Sequence, residues 1–139
     1  MSVLNLSTLL VPTKSVELEY PGLPDFKVNL SFMSREEMVK IRKKATKTTF
    51  KNRQPVDELN DDLFLQLYVQ NTVKGWSGLK MSYVAQLCPV DLSTIKDKEE
   101  CLDYSEANAL SLVKSSTDFD SWVSEAVTDL QNFQLTNGK

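Results

Sequence analysis

The chain has 139 residues, 41% of them hydrophobic and 25% charged, with a net charge of −3; these are the values of one globular domain large enough to bury its own core. It contains no histidine, which removes the commonest general base, the commonest metal ligand and every Ser-His or Cys-His nucleophile pair. Cys88 and Cys101 are too few for a disulfide framework, and no GxxxxGK[ST] or GxGxxG phosphate loop occurs, so only carboxylate chemistry is left and no enzyme, cofactor or metal site is expected.

No run of eighteen apolar residues could span a membrane. The start, Met1 to Leu6, lacks the basic region of a signal peptide, and a soluble, intracellular chain is expected. The basic residues are concentrated: Arg35, Lys40, Arg42, Lys43, Lys44, Lys47, Lys51 and Arg53 stand against Glu36 and Glu37. The remainder of the chain is correspondingly acidic.

Residues 1–13 read as a flexible arm carrying Leu4, Leu6, Leu9, Leu10 and Val11, ended by Pro12. Val16, Leu18 and Tyr20 alternate with Glu17 and Glu19, the pattern of a half-buried strand. Turn residues Pro21 to Asp25 follow. Phe26, Val28, Leu30 and Phe32 then alternate with Lys27, Asn29 and Ser31, so residues 14–33 form a β-hairpin. An isolated hairpin is marginal in water, so it must lie on helices, add strands or pair with another chain.

Residues 34–135 read as the helical part. Ser34 to Glu37 is a capping box with Met33 as its staple, opening a helix with Met38, Ile41 and Ala45 on one stripe and Val39 and Arg42 beside it. Thr46 to Pro55 loses the helical pattern and reads as a loop or a short third strand. A second helix is expected from about Asp57 to Lys74, with Leu59, Leu63, Phe64, Leu67, Tyr68, Val69 and Val73 as a broad apolar face and acidic residues in its first turns. A short helix should end at Leu87, before the break at Cys88-Pro89. Helices over about 93–114 and 118–135 follow, the last carrying Phe119, Trp122, Val123, Ala126, Val127, Leu130 and Phe133. Residues 136–139 should fray. The fold class is therefore α+β, an N-terminal β-hairpin followed by a mostly α-helical domain of four to five helices, all in one domain over residues 1–139.

The chain is organised around Val73 to Leu79, which holds one of two tryptophans and two of four glycines. Gly75 and Gly78 flank Trp76 and read as a helix stop or sharp bend, because glycine takes a positive φ without a Cβ clash. Trp76 then reads either as a core anchor at that corner or as a partly exposed anchor for a partner.

The hairpin, the basic helix, the acidic-start helix, Lys74-Gly75-Trp76-Ser77-Gly78-Leu79, Asp118-Phe119-Asp120-Ser121-Trp122 and Leu130-Gln131-Asn132-Phe133 together resemble the tail assembly chaperones of long-tailed bacteriophages. The likeness covers about residues 16–133, and its motifs are short; the polar stretch from Thr46 to Gln54 has no place in the family pattern. The resemblance implies a non-enzymatic protein of the host cytoplasm that coats and solubilises the tape measure protein during tail assembly and is absent from the mature virion. It implies homo-oligomers, and a longer frameshifted form and the tail tube protein as further partners. Gly138-Lys139 is a pair that a slip-prone codon run could encode. Trp76, Leu79, Tyr83, Trp122 and Phe133 are the candidate partner-binding residues. Lys40, Lys43, Lys44 and Lys47 are the candidate self-association residues, set to meet an acidic surface of a neighbouring copy.

Two other readings compete. A small structural tail-completion protein of the virion would look much the same in sequence. A basic helix could track phosphates, but the whole domain is acidic, and Phe50 alone among aromatics interleaves the 35–53 segment, which argues against nucleic acid. No membrane partner is expected.

Overall fold

A computed structural model describes residues 5–9, 15–93 and 95–133. The expected fraying over 136–139 and the Gly138-Lys139 pair lie outside the described residues, as does most of the 1–13 arm, of which Leu6–Leu9 forms one helical turn, α1, with Leu6 and Leu9 exposed.

The predicted hairpin forms. Strand β1 (Ser15–Glu19) pairs antiparallel with β2 (Lys27–Ser31), with Val16 opposite Leu30 and Leu18 opposite Val28. The alternation puts Val28 and Leu30 fully into the core and leaves Val16 and Leu18 half-buried at the sheet edge. A third strand, β5 (Val73–Ser77), joins the far side of β2, with Trp76 opposite Val28, so the sheet order is β1-β2-β5. Where a helix stop was expected at Gly75-Trp76 there is thus an edge strand. The bend falls at Gly78, whose φ is +74°, and a Cβ there would overlap the Asp25 carbonyl.

Helix α2 (Arg35–Ala45) starts at the predicted cap, where Ser34 Oγ accepts the Glu37 amide at 3.1 Å and Met33 is buried beneath it. Past Ala45 the chain departs from expectation. Strands β3 (Thr46–Lys51) and β4 (Gln54–Leu59) form a second antiparallel hairpin, where a loop or a lone short strand was expected. Helix α3 therefore begins at Asp61 and runs to Thr72, with Asn60 accepting the Leu63 amide at 3.1 Å, and Asp57 and Glu58 belong to a strand rather than to its first turn.

Helix α4 (Met81–Leu87) ends before Pro89 as expected. Ser93 and residues 95–105, expected to be helical, are irregular. Asp91 and Asp97 each accept a backbone amide two residues on, a local alternative to helical bonding. Residues 98–102 return as a strap: the amides of Met81 and Ser82 donate to the carbonyls of Glu100 and Lys98, and the Leu102 amide donates to Leu79. Helix α5 (Glu106–Ser115) and helix α6 (Thr117–Thr128) follow, and a 3-10 turn over Leu130–Phe133 replaces the expected last turns of the final helix.

The sheet lies against α3 and α6, with α5 between those helices and α2 beside α3. Phe26, Val28, Leu30, Val73, Leu79, Phe119, Val123 and Val127 form the driest part of the core. No helix among the described residues is long and apolar enough to cross a membrane.

Candidate partner-binding surface

The expected partner-binding residues separate by burial. Leu79 is 0% exposed and Phe133 3%; both are core residues, a correction to the sequence reading, because a side chain with no surface cannot meet a partner while the domain stays folded. Trp76 is half-buried and engaged: its Nε1 donates to the Leu102 carbonyl at 2.9 Å, and its ring meets Phe26 and Tyr104 edge to face. Tyr83 Oη donates to the Pro24 carbonyl at 2.9 Å and ties α4 to the β1–β2 turn. Trp122 is half-buried and packs edge-on to Tyr20, with centroids 4.9 Å apart. It lines a cavity between β1 and α6 with Leu18, Glu19, Glu125, Ala126 and Asp129. The structure brings none of the other four to that cavity.

The expected self-association lysines are all exposed. Lys40 lies near Glu36 and Glu37 on its own helix, at 3.8 and 3.7 Å; such surface pairs contribute little. Lys43 and Lys44 follow in the last turn of α2, where the helix dipole favours cations, and Lys47 lies on β3 opposite Glu58.

An open concavity lies where no candidate was sought. Phe32, Met33, Arg35, Met38, Val39 and Arg42 line a cavity of about 620 Å³ along α2. A second of about 390 Å³ shares Met38 and Arg42 and reaches Phe64, Leu65 and Tyr68. A third of about 410 Å³ shares Val39 and Arg42 and runs up to Thr46, Thr48 and Asp57 at the base of the β3–β4 ribbon. Together they make one groove, floored by methionine, valine and aromatic side chains. The Arg42 guanidinium crosses it, 5.4 Å above the Phe64 ring, a cation–π position. Arg35 and Lys43 add positive charge to the rim, and Asp57 and Asp120 add negative charge to it. The clue in the sequence was Val39 beside the α2 stripe: an apolar side chain there is surplus to the core, and it stands 41% exposed.

The ribbon itself is the other exposed feature. None of residues 46–59 is buried. Its two-residue turn, Asn52-Arg53, has φ of 53° and 64°, both positive as a type I′ turn requires. The register sets Phe50 opposite Pro55 and Thr48 opposite Asp57 on one face, and Lys47, Thr49 and Lys51 on the other. Thr48 and Asp57 also line the groove, so Phe50, 74% exposed, stands on the groove side of the ribbon, further out.

Burial pushes the phenols of Tyr20, Tyr68 and Tyr104 up from their ordinary range, helped by Asp118, Asp120 and Glu106 respectively; the Ser124 hydroxyl beside Tyr68 works the other way. Burial also raises the Cys88 thiol, the opposite of what a reactive thiolate needs.

No curated protein and no solved structure matches the chain. A family model described as YdaY prophage protein matches residues 22–138, a span from the β1–β2 turn past the final 3-10 turn. The chain therefore belongs to the YdaY prophage protein family.

Proposed function

We propose that this protein is a non-enzymatic tail assembly chaperone that holds an apolar helical client, the tape measure protein, in the α2 groove until the tail tube encloses it. The observation that carries this reading is the groove itself: an open, methionine-bearing apolar channel on a chain of phage origin. Methionine side chains adapt to irregular partners, and an amphipathic helix laid in such a channel presents anchors at i, i+3, i+4 and i+7. Arg35, Arg42 and Lys43 on one side and Asp57 and Asp120 on the other suit a client helix that carries charges of both signs beside its apolar stripe. The host cytoplasm is where such a client needs cover.

Co-expression with the tape measure protein encoded in the same prophage tests this reading. The wild type should keep the client soluble, and Val39→Asp should let it precipitate while its own unfolding temperature holds. Equal solubility with either form, or with no partner at all, would sink the proposal. Recovery of the chain in purified particles would favour a structural tail component instead.

A further inference from the structure

We infer that the β3–β4 ribbon is an arm whose tip docks into the Trp122 cavity of a second copy of this chain. A two-stranded ribbon with no buried residue is marginal by itself in water. A phenylalanine held 74% exposed near its end gains apolar burial only when something covers it. Phe50 and Pro55 give the tip one apolar face, and Lys51 and Arg53 make its end cationic. Lys51 is bridged to Glu58 at 2.9 Å, but both partners are well exposed and exchange such a contact at little cost. Arg53 has no carboxylate partner among the described residues.

The cavity between β1 and α6 is the complement of this tip. Leu18, Trp122 and Ala126 give it a small apolar floor, and Glu19, Glu125, Asp129 and Asn132 make most of its lining polar, three of them carboxylates. None of the three carboxylates has a cationic partner among the described residues; Glu19 accepts the Asp25 amide and Asp129 the Gln131 amide. Its volume of about 290 Å³ admits a phenyl ring. An aromatic tip with a cationic end thus meets an indole-walled cavity with an anionic rim, which commits the occupant to another copy of the chain. The inference does not depend on the client reading, since the cavity and the α2 groove share no lining residue.

Arm and cavity are different patches, so each can be disabled alone. Phe50→Ser with Arg53→Glu removes the arm, and Glu125→Arg with Asp129→Arg removes the cavity; all four positions are exposed, so unfolding temperatures should match the wild type. In sedimentation velocity at low salt the wild type should associate, and each variant alone should associate at least about tenfold more weakly. A mixture of the two variants should form a one-to-one pair, because each supplies the half the other lacks. Raising ionic strength should weaken association in every case. A monomeric wild type, an arm variant that associates as well as the wild type, or two variants that fail to combine would each overturn the inference.

Discussion

Trp76 Nε1 donates to the Leu102 carbonyl oxygen across 2.9 Å, and with the Tyr104 hydroxyl bonded to the Val73 carbonyl it fastens β5 to the 98–102 strap and to the residues just after it. Trp76→Phe keeps most of the ring and leaves that carbonyl without its donor. The expected loss is about 1–3 kcal/mol of folding stability, read from the urea midpoint. An unchanged midpoint together with lost client binding would restore Trp76 as a partner anchor.

Gly78→Ala should be among the most damaging single changes in the chain. The added Cβ would overlap the Asp25 carbonyl, and the backbone at φ +74° disfavours any side chain. We expect loss of more than about 3 kcal/mol and expression in inclusion bodies. A soluble variant with a wild-type melting curve would show that the β5–α4 bend relaxes freely.

Arg53→Gly should act in the opposite direction on the ribbon. A non-glycine residue at φ 64° costs on the order of 1 kcal/mol, and Asn-Gly is the preferred pair for this turn. Amide exchange at Lys51 and Gln54 should slow. Faster exchange would mean that the arginine side chain itself holds the turn.

Met38→Glu places a carboxylate in the floor of the α2 groove, where Arg42 is near enough to receive it. Met38 is only half-buried, so stability should fall by about 1 kcal/mol while client solubilisation is abolished. Retained solubilisation would move the client off this groove.

Stability should fall in alkali. The folded phenols of Tyr20, Tyr68 and Tyr104 titrate above their ordinary value of 10.0, chiefly through burial. Their contribution is therefore complete below pH about 10 and is lost as pH climbs through the folded values. With no histidine to titrate near neutrality, the melting temperature should stay level from about pH 6 to 8 and drop above 10. Tyr68→Phe should flatten that drop; an identical drop would assign it elsewhere.

The first hairpin was legible because Phe26, Val28 and Leu30 are buried on one face, and a strand with one buried face writes a clean period of two. The β3–β4 ribbon was not, because both of its faces are wet, and Thr-rich alternation without an apolar side leaves no such signal. Its turn also lacks the glycine that usually marks it. Val56 and Leu59 happen to fall at helical spacing from Leu63, which drew the α3 boundary into β4. The cap at Ser34 was readable, since a hydroxyl before an acidic first turn has a local cause. The groove was hidden because Phe32, Met38 and Phe64 come from different elements, and only the crossing of α2 over α3 brings them together.

At the foot of the ribbon, the Asn60 amide donates to the Ala45 carbonyl at 2.8 Å. That bond closes the base of the 46–59 segment, one rung beyond the Thr46–Leu59 pair. A segment with no buried residue that leaves and re-enters the body at adjacent points should tolerate changes in length with little change to the domain beneath. Replacing 46–59 with a short glycine–serine turn should leave the melting temperature within a few degrees, since about 0.5 kcal/mol is typical of surface changes; a large drop would show the arm and body to be one cooperative unit. An arm that varies apart from its body would let members of one family differ in whom they recognise while sharing a single scaffold.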